Sequence, residues 1–312
     1  MKFWVGVTDN NWYSFLSERQ PDEVNFWQPS GTPPFKKRLE LFLFKLHSPL
    51  NYIAGGGYFV TYTSLPISIA WETFGEKNGV QSYLQLKEII SKYRESRGRT
   101  KTLDPEIGCS VLAQPFFFKR EDWISIPEDW KSNIVRGRTY DTQTDIGKKL
   151  FEDVQLRLSS QSIALPKQDT SPRTSELSTE RYGAECITRL RLGQGSFRAL
   201  ITNAYSRRCA MTGERTLPVL EAAHIKSYAE FGPHSIKNGL LLRADLHKLF
   251  DRQYITITPD LKIEVSKRIH EEYQNGKDYY KLHGKKLAVT PNDPNDLPAR
   301  EYIEWHNQRF YG

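Results

Sequence analysis

Cysteine and long apolar runs are both scarce in this chain of 312 residues, and each shortage excludes something. The three cysteines, Cys109, Cys186 and Cys209, are odd in number and scattered, which argues against a disulfide framework and a four-cysteine zinc site. Reduced, inert thiols and no structural zinc are the expectation. No stretch reaches the roughly 18 apolar residues of a membrane span. The opening "MKFWVGVTDNNW" is broken by Asp and Asn, so neither a membrane association nor a signal peptide is expected, and a cytoplasmic location is. Charge of one sign is scarce too: 44 Lys and Arg against 37 Asp and Glu leave +7, which permits a polyanionic partner without requiring one.

What is present divides the chain. Up to residue 158, aromatic and β-branched runs ("KFWVGV", "LFLFKLH", "GYFVTYT", "SVLAQPFFF") alternate with turn signals such as "PSGTPP" and "AGGG", which predicts a mostly β domain. Two segments read as helices packed on it: "NNWYSFLSER" behind an Asn cap, and "SYLQLKEIISKYRESR" with Leu84, Ile89 or Ile90 and Tyr93 as the apolar stripe. Residues 159–180 are rich in Ser, Thr, Pro and charge, the composition of a linker. Residues 181–312 then form a second domain that opens with a helical stretch, so the fold class is α+β in two tethered parts.

Within the second part, "EAAHI", "NGLLLR" and "ADLHKLFD" read as strand, strand and helix, with His224 closing the first strand and Asn238 opening the second. On the helix, His247 and Asp251 share one face while Leu246, Leu249 and Phe250 point elsewhere as core. A histidine and a carboxylate on one face suit a divalent cation with positions left open for phosphate and water. Singly, His224 reads as a satisfied core histidine, Asn238 with Gly239 as a turn, Asp245 as a cap and Asp251 as a solvated acid. Their joint order and spacing count against those readings.

The run "CAMTGE…EAAHI…NGLLLRADLHKLFD" resembles the HNH nuclease family, in the branch found in many bacterial restriction endonucleases, over about residues 193–258. The resemblance implies a ββα-metal domain in which His224 is the general base, Asn238 pins the loop and orients the base, and His247 binds one divalent ion, Mg2+ or Mn2+. Many relatives carry a metal-binding Asp or His just before the base, where this chain has Ala223. Asp251 is the first choice for the second ligand, with Glu221 and Asp245 behind it. Arg198, Arg207, Arg208 and Arg243 are candidate phosphate clamps, since a guanidinium fork matches phosphate oxygens. The remaining histidines, His234 and His306 among them, are read as surface or packing residues.

In the first part, "WVGVTDNNW", "VNFWQPSG" and "IAGGGYFVTYTSLPISIAWETFG" resemble the EVE domain of the PUA-like superfamily and the reader domains of modification-dependent nucleases, over most of residues 1–155. The resemblance implies a β-barrel with flanking helices and a pocket for one flipped base. Such a pocket needs flat apolar walls and a few polar groups for the base edge. Trp12, Trp27 and Trp71 are the candidate walls, with Trp71 at a helix start, and Asn25 and Gln28 the candidate polar groups. Gly55, Gly56 and Gly57 are read as a close approach to DNA or a plain turn. Together the resemblances imply a restriction endonuclease, acting as a homodimer, that cuts double-stranded DNA near modified cytosine, 5-hydroxymethyl- or 5-methylcytosine. Two rivals stay open: a nuclease for RNA or unmodified DNA, and a non-catalytic reader, to which Ala223 is the one pointer.

Overall fold

The computed structural model describes residues 1–31, 33, 40–96, 98, 102–164 and 192–310. The chain divides into two compact units, Met1–Leu192 and Gly193–Gly312. Unit 1 runs β1 (Lys2–Thr8), α1 (Asn10–Arg19), β2 (Glu23–Gln28), β3 (Leu41–Leu46), β4 (Tyr52–Pro66), α2 (Ile67–Phe74), α3 (Tyr83–Glu95), β5 (Glu106–Phe117), β6 (Ile124–Ser125), β7 (Gly137–Asp141) and α4 (Asp145–Ala164). One mixed sheet takes the order β2-β5-β4-β3-β1-β7, with β6 beside β4. β1 and β3 run parallel, and the other ladders are antiparallel. No ladder joins β2 to β7 among the described residues, so where a closed barrel is expected the hydrogen-bonded path is open.

The sequence LFLFKL explains the position of β3. Side chains alternate across a strand, and here both faces are apolar, so the strand is stable only when covered on two sides. Leu41 and Leu43 join Phe3, Val5, Phe151 and Val154 on the α4 side, whereas Phe42 and Phe44 join Trp12, Leu16 and Phe26 on the α1 side. Each fully buried phenylalanine contributes roughly 1.5–3 kcal/mol. The glycines of β4 serve this packing: a Cβ on Gly55 would stand 2.2 Å from the Phe116 carbonyl oxygen, and one on Gly56 2.6 Å from that of Phe42. They sit inside a strand, neither in a turn nor presented as bare backbone for DNA.

Three local expectations change. The cap of α1 is Asp9, whose carboxylate accepts from the backbone N–H of Asn11 (2.9 Å) and Trp12 (3.0 Å). On α3 the buried face is Leu86 and Ile90, one turn apart, while Leu84 and Tyr93 are 73% and 38% exposed. Trp71 lies inside α2, not at its start. In addition, α4 extends through Ala164 into the stretch read as linker, and the remainder, residues 165–180, lies outside the described residues, as do residues 181–191 and Cys186.

Unit 2 begins its described part with α5 (Gln194–Ala204), then β8 (Leu220–His224), β9 (Gly239–Arg243), α6 (Ala244–Asp251), β10 (Ile255–Ile257), β11 (Ile263–Val265), α7 (Arg268–Tyr273), α8 (Lys277–Tyr280) and α9 (Arg300–Asn307). β8 and β9 form an antiparallel pair in which His224 faces Gly239. A Cβ on Gly239 would come within 2.3 Å of the Ile201 Cδ1, so glycine there lets α5 lie directly on the hairpin. α6 follows β9 without a loop, and its buried Leu246 and Phe250 anchor it.

Candidate functional site

The end of β8 carries His224, whose ring is held on two sides. Phe197 from α5 stacks on it at 3.9 Å and 11°. Its Nε2 lies 3.0 Å from Nδ1 of His234, in the loop between β8 and β9. Burial, then the neighbouring His234 and His247, push its pKa down to about 4, so the ring is neutral at cellular pH and can accept a proton.

Asn238 is fully buried, and its side-chain hydrogen bonds go to the loop backbone. It fastens the loop: its Oδ1 accepts from the Lys226 N–H (2.8 Å), and its Nδ2 donates to the carbonyls of Lys226 (2.9 Å) and Pro233 (3.0 Å). Its own carbonyl accepts from the N–H of Ile225 (3.0 Å), the residue after the histidine. The groups seen directly on the His224 ring are Phe197 and His234.

His247 stands on α6 between two carboxylates. Nδ1 lies 2.7 Å from Oε2 of Glu221, and Nε2 lies 3.4 Å from Oδ2 of Asp251. Partial burial raises the Asp251 pKa above its ordinary value, opposed by His247 and reinforced by Glu221. Ala223 is fully buried, so the neighbour that reaches His247 from β8 is Glu221, two residues earlier. Asp245 lies elsewhere: it takes both prongs of the Arg243 fork, Nε and Nη2 each at 2.7 Å.

That ion pair commits two donors of the Arg243 guanidinium to a carboxylate. Arg208 packs over Gly213, its Nη2 3.2 Å from where a Cβ there would stand. Of the candidate clamps, Arg198 lines the cleft with Phe197, Glu221, His224, His247 and Asp251, around a volume of about 620 Å³. Sequence reasoning missed His234 and ranked Glu221 low. Neither has a local signal: His234 sits in an irregular loop, and Glu221 meets His247 only once β8 and α6 are packed.

Unit 1 holds a smaller pocket of about 160 Å³, lined by Trp12, Trp27, Gln28, Asp9, His47 and Tyr93 among others. Trp12 is mainly core, only 5% exposed and edge-on to Phe26 and Phe44. Trp27 is held by its Nε1–H donating to the Asn78 carbonyl (2.9 Å), and it meets Tyr93 edge-on at 6.3 Å. Asn25 and Trp71 do not line the pocket. Asn25 is buried behind it, donating to Oδ1 of Asn78 (2.8 Å) and to Sγ of Cys109 (3.4 Å). Burial pushes the Cys109 thiol up to about 12, so it stays protonated.

No curated protein sequence matches the chain. Among solved structures, the ASCH protein of Zymomonas mobilis is similar at 11% identity, covering 48% of this chain and 94% of that one, with a TM-score of 0.33. The modification-dependent TagI restriction endonuclease is similar at 13% identity, covering 93% of this chain and 76% of that one, with a TM-score of 0.28. Residues 209–258 match the HNH endonuclease family. The hairpin and helix that bring His224 to the cleft opposite His247 are an HNH endonuclease domain.

Proposed function

We propose that the protein is a divalent-metal-dependent DNA endonuclease that senses a modified cytosine with unit 1 and hydrolyses phosphodiesters in the cleft of unit 2. The observation that carries this reading is the convergence of a neutral histidine, a histidine flanked by carboxylates and an arginine on one open cleft within the segment that matches HNH endonucleases. His224 takes a proton from water, the water oxygen attacks phosphorus, and the bond to the leaving 3′ oxygen breaks, that oxygen being protonated from solvent. Arg198 neutralises phosphate charge at the cleft wall.

The donor set suits a metal ion: an imidazole and two carboxylates crowded together, with Asp251 destabilised as an anion in part by Glu221. Among the described residues no three His, Cys, Asp or Glu side chains already form a metal-binding group. His247 and Asp251 would hold the ion, with Glu221 either a third donor or the acceptor that orients His247. When bound, it would supply charge stabilisation at the phosphate.

Unit 1 is read as an EVE/PUA-like reader. Its pocket has the aromatic walls that stack a flat ring and the polar rim that meets a base edge, Gln28 among it. A homodimer places one cleft on each DNA strand. The test is cleavage of one duplex made with cytosine, 5-methylcytosine, 5-hydroxymethylcytosine or glucosylated hydroxymethylcytosine, with Mg2+ or Mn2+ and with chelator. Metal-dependent cutting confined to modified duplexes is expected. Equal cutting of all four contradicts the reader, and no cutting of any contradicts the nuclease.

A further inference from the structure

We infer that His234 is a positioning residue that holds the His224 ring in the one tautomer able to accept a proton from water. The inference rests on His224 being the general base. Through Nε2 the His224 ring bonds His234, and among the described residues Nδ1 makes no hydrogen bond. A bond between two neutral imidazoles needs one donor and one acceptor. If His224 donates from Nε2–H, its Nδ1 keeps a lone pair for the proton of water. If His234 donates instead, the His224 proton sits on Nδ1 and that nitrogen accepts nothing.

The pair is built rather than incidental. Each ring is clamped by an aromatic neighbour, His224 by Phe197 (3.9 Å, 11°) and His234 by Tyr228 (4.5 Å, 17°). The backbone that carries both histidines is tied by the one buried residue, Asn238, at Ile225, Lys226 and Pro233. Gly232 completes the closure, since a Cβ there would stand 1.9 Å from the Lys226 carbonyl oxygen.

Proton transfer from water to Nδ1 makes His224 an imidazolium whose Nε2–H still points at His234. The hydrogen bond becomes charge-assisted and roughly twice as strong, so it favours the state that forms as water is activated. This is the role a carboxylate plays behind the histidine of a Ser-His-Asp triad, performed here by a neutral ring.

The experiment combines single-turnover cleavage by the full chain with nitrogen-15 NMR of its imidazoles. In the wild type the His224 proton is expected on Nε2. His234→Ala should lower kcat about 10- to 100-fold with KM little changed, as for loss of a group that orients a catalytic ligand. His234→Gln, whose amide oxygen can accept from Nε2–H, should recover much of that loss. A wild-type proton on Nδ1 overturns the inference even if a variant fails to fold. Wild-type kcat in His234→Ala also overturns it, as does equal impairment of both variants with the tautomer unchanged. Normal cleavage by His224→Ala overturns the underlying assignment instead.

Discussion

His224 and His306 look alike by most local measures. Each ring lies 3.9 Å from a phenylalanine, Phe197 at 11° and Phe250 at 15°. Each has its pKa pushed down to about 4, in both cases mainly by burial. Their surroundings separate them. His306 is 5% exposed, with Nδ1 2.8 Å from the Thr256 hydroxyl and Nε2 donating to the Phe250 carbonyl at 3.0 Å, so both ring nitrogens are committed inside the core. His224 commits one nitrogen and faces the cleft. A depressed pKa thus marks a buried imidazole, and only the arrangement around the ring marks a base.

The largest expected effect sharpens that contrast. His224→Ala should lower kcat by roughly 10²- to 10⁴-fold, the usual contribution of a general base, with little change in the urea midpoint. His306→Ala should do the opposite: kcat of the folded enzyme holds, while stability falls by roughly 3 kcal/mol through the cavity left under Phe250 and the lost hydrogen bonds to the Phe250 carbonyl and the Thr256 hydroxyl. Similar losses of kcat in both variants would erase the distinction.

Acid should reveal the core histidine next. The His306 pKa is about 4 in the fold against 6.5 for an ordinary histidine, so between these values the unfolded chain binds more protons. Stability should therefore rise with pH across that window, and fall by roughly 3 kcal/mol in total as pH drops from 6.5 to below 4. His224 acts in the same direction with a smaller effect, being partly exposed. Urea titrations at several pH values on the wild type and His306→Gln measure the slope, which the variant should lose in large part.

Smaller effects belong to the groups around the two sites. His247→Ala should weaken Mn2+ binding about tenfold or more by calorimetry, since loss of a direct ligand should cost no less than loss of an outer-shell partner. Unchanged binding would move the ion elsewhere. In unit 1, Trp27→Ala should reduce the preference for modified over plain duplex by ~1–3 kcal/mol, one stacking contact, with the basal nuclease rate unchanged. Discrimination that survives the change would place the base outside this pocket.

How much of this could be read beforehand follows from distance along the chain. The hairpin and helix of unit 2 are contiguous, so the placement of His224, Asn238, His247 and Asp251 around one ββα unit was visible in strand, turn and helix signals. Partners that arise only on packing were not: Glu221 against His247 needs β8 beside α6, and His234 against His224 needs the loop closed by Asn238 and Gly232. The Arg243–Asp245 pair was not foreseen although the two are only two residues apart, because it forms where β9 passes directly into α6.

In unit 1 the apolar runs announced strands, but strand order and the open sheet path depend on long-range pairing, such as the parallel β1 and β3. The pocket draws on β1, α1, β2, α3 and loops between strands, so sequence proximity pointed wrongly to Asn25, which is fully buried against Asn78 and Cys109, and missed Tyr93.

The most direct measurement is cleavage of a 5-hydroxymethylcytosine duplex by equal amounts of folded wild type and His224→Ala, with Mn2+ or Mg2+ and with chelator. Metal-dependent cutting by the wild type, lost in the variant, is the predicted result. Cutting by His224→Ala at the wild-type rate would contradict the account and return that histidine to the core residues it resembles.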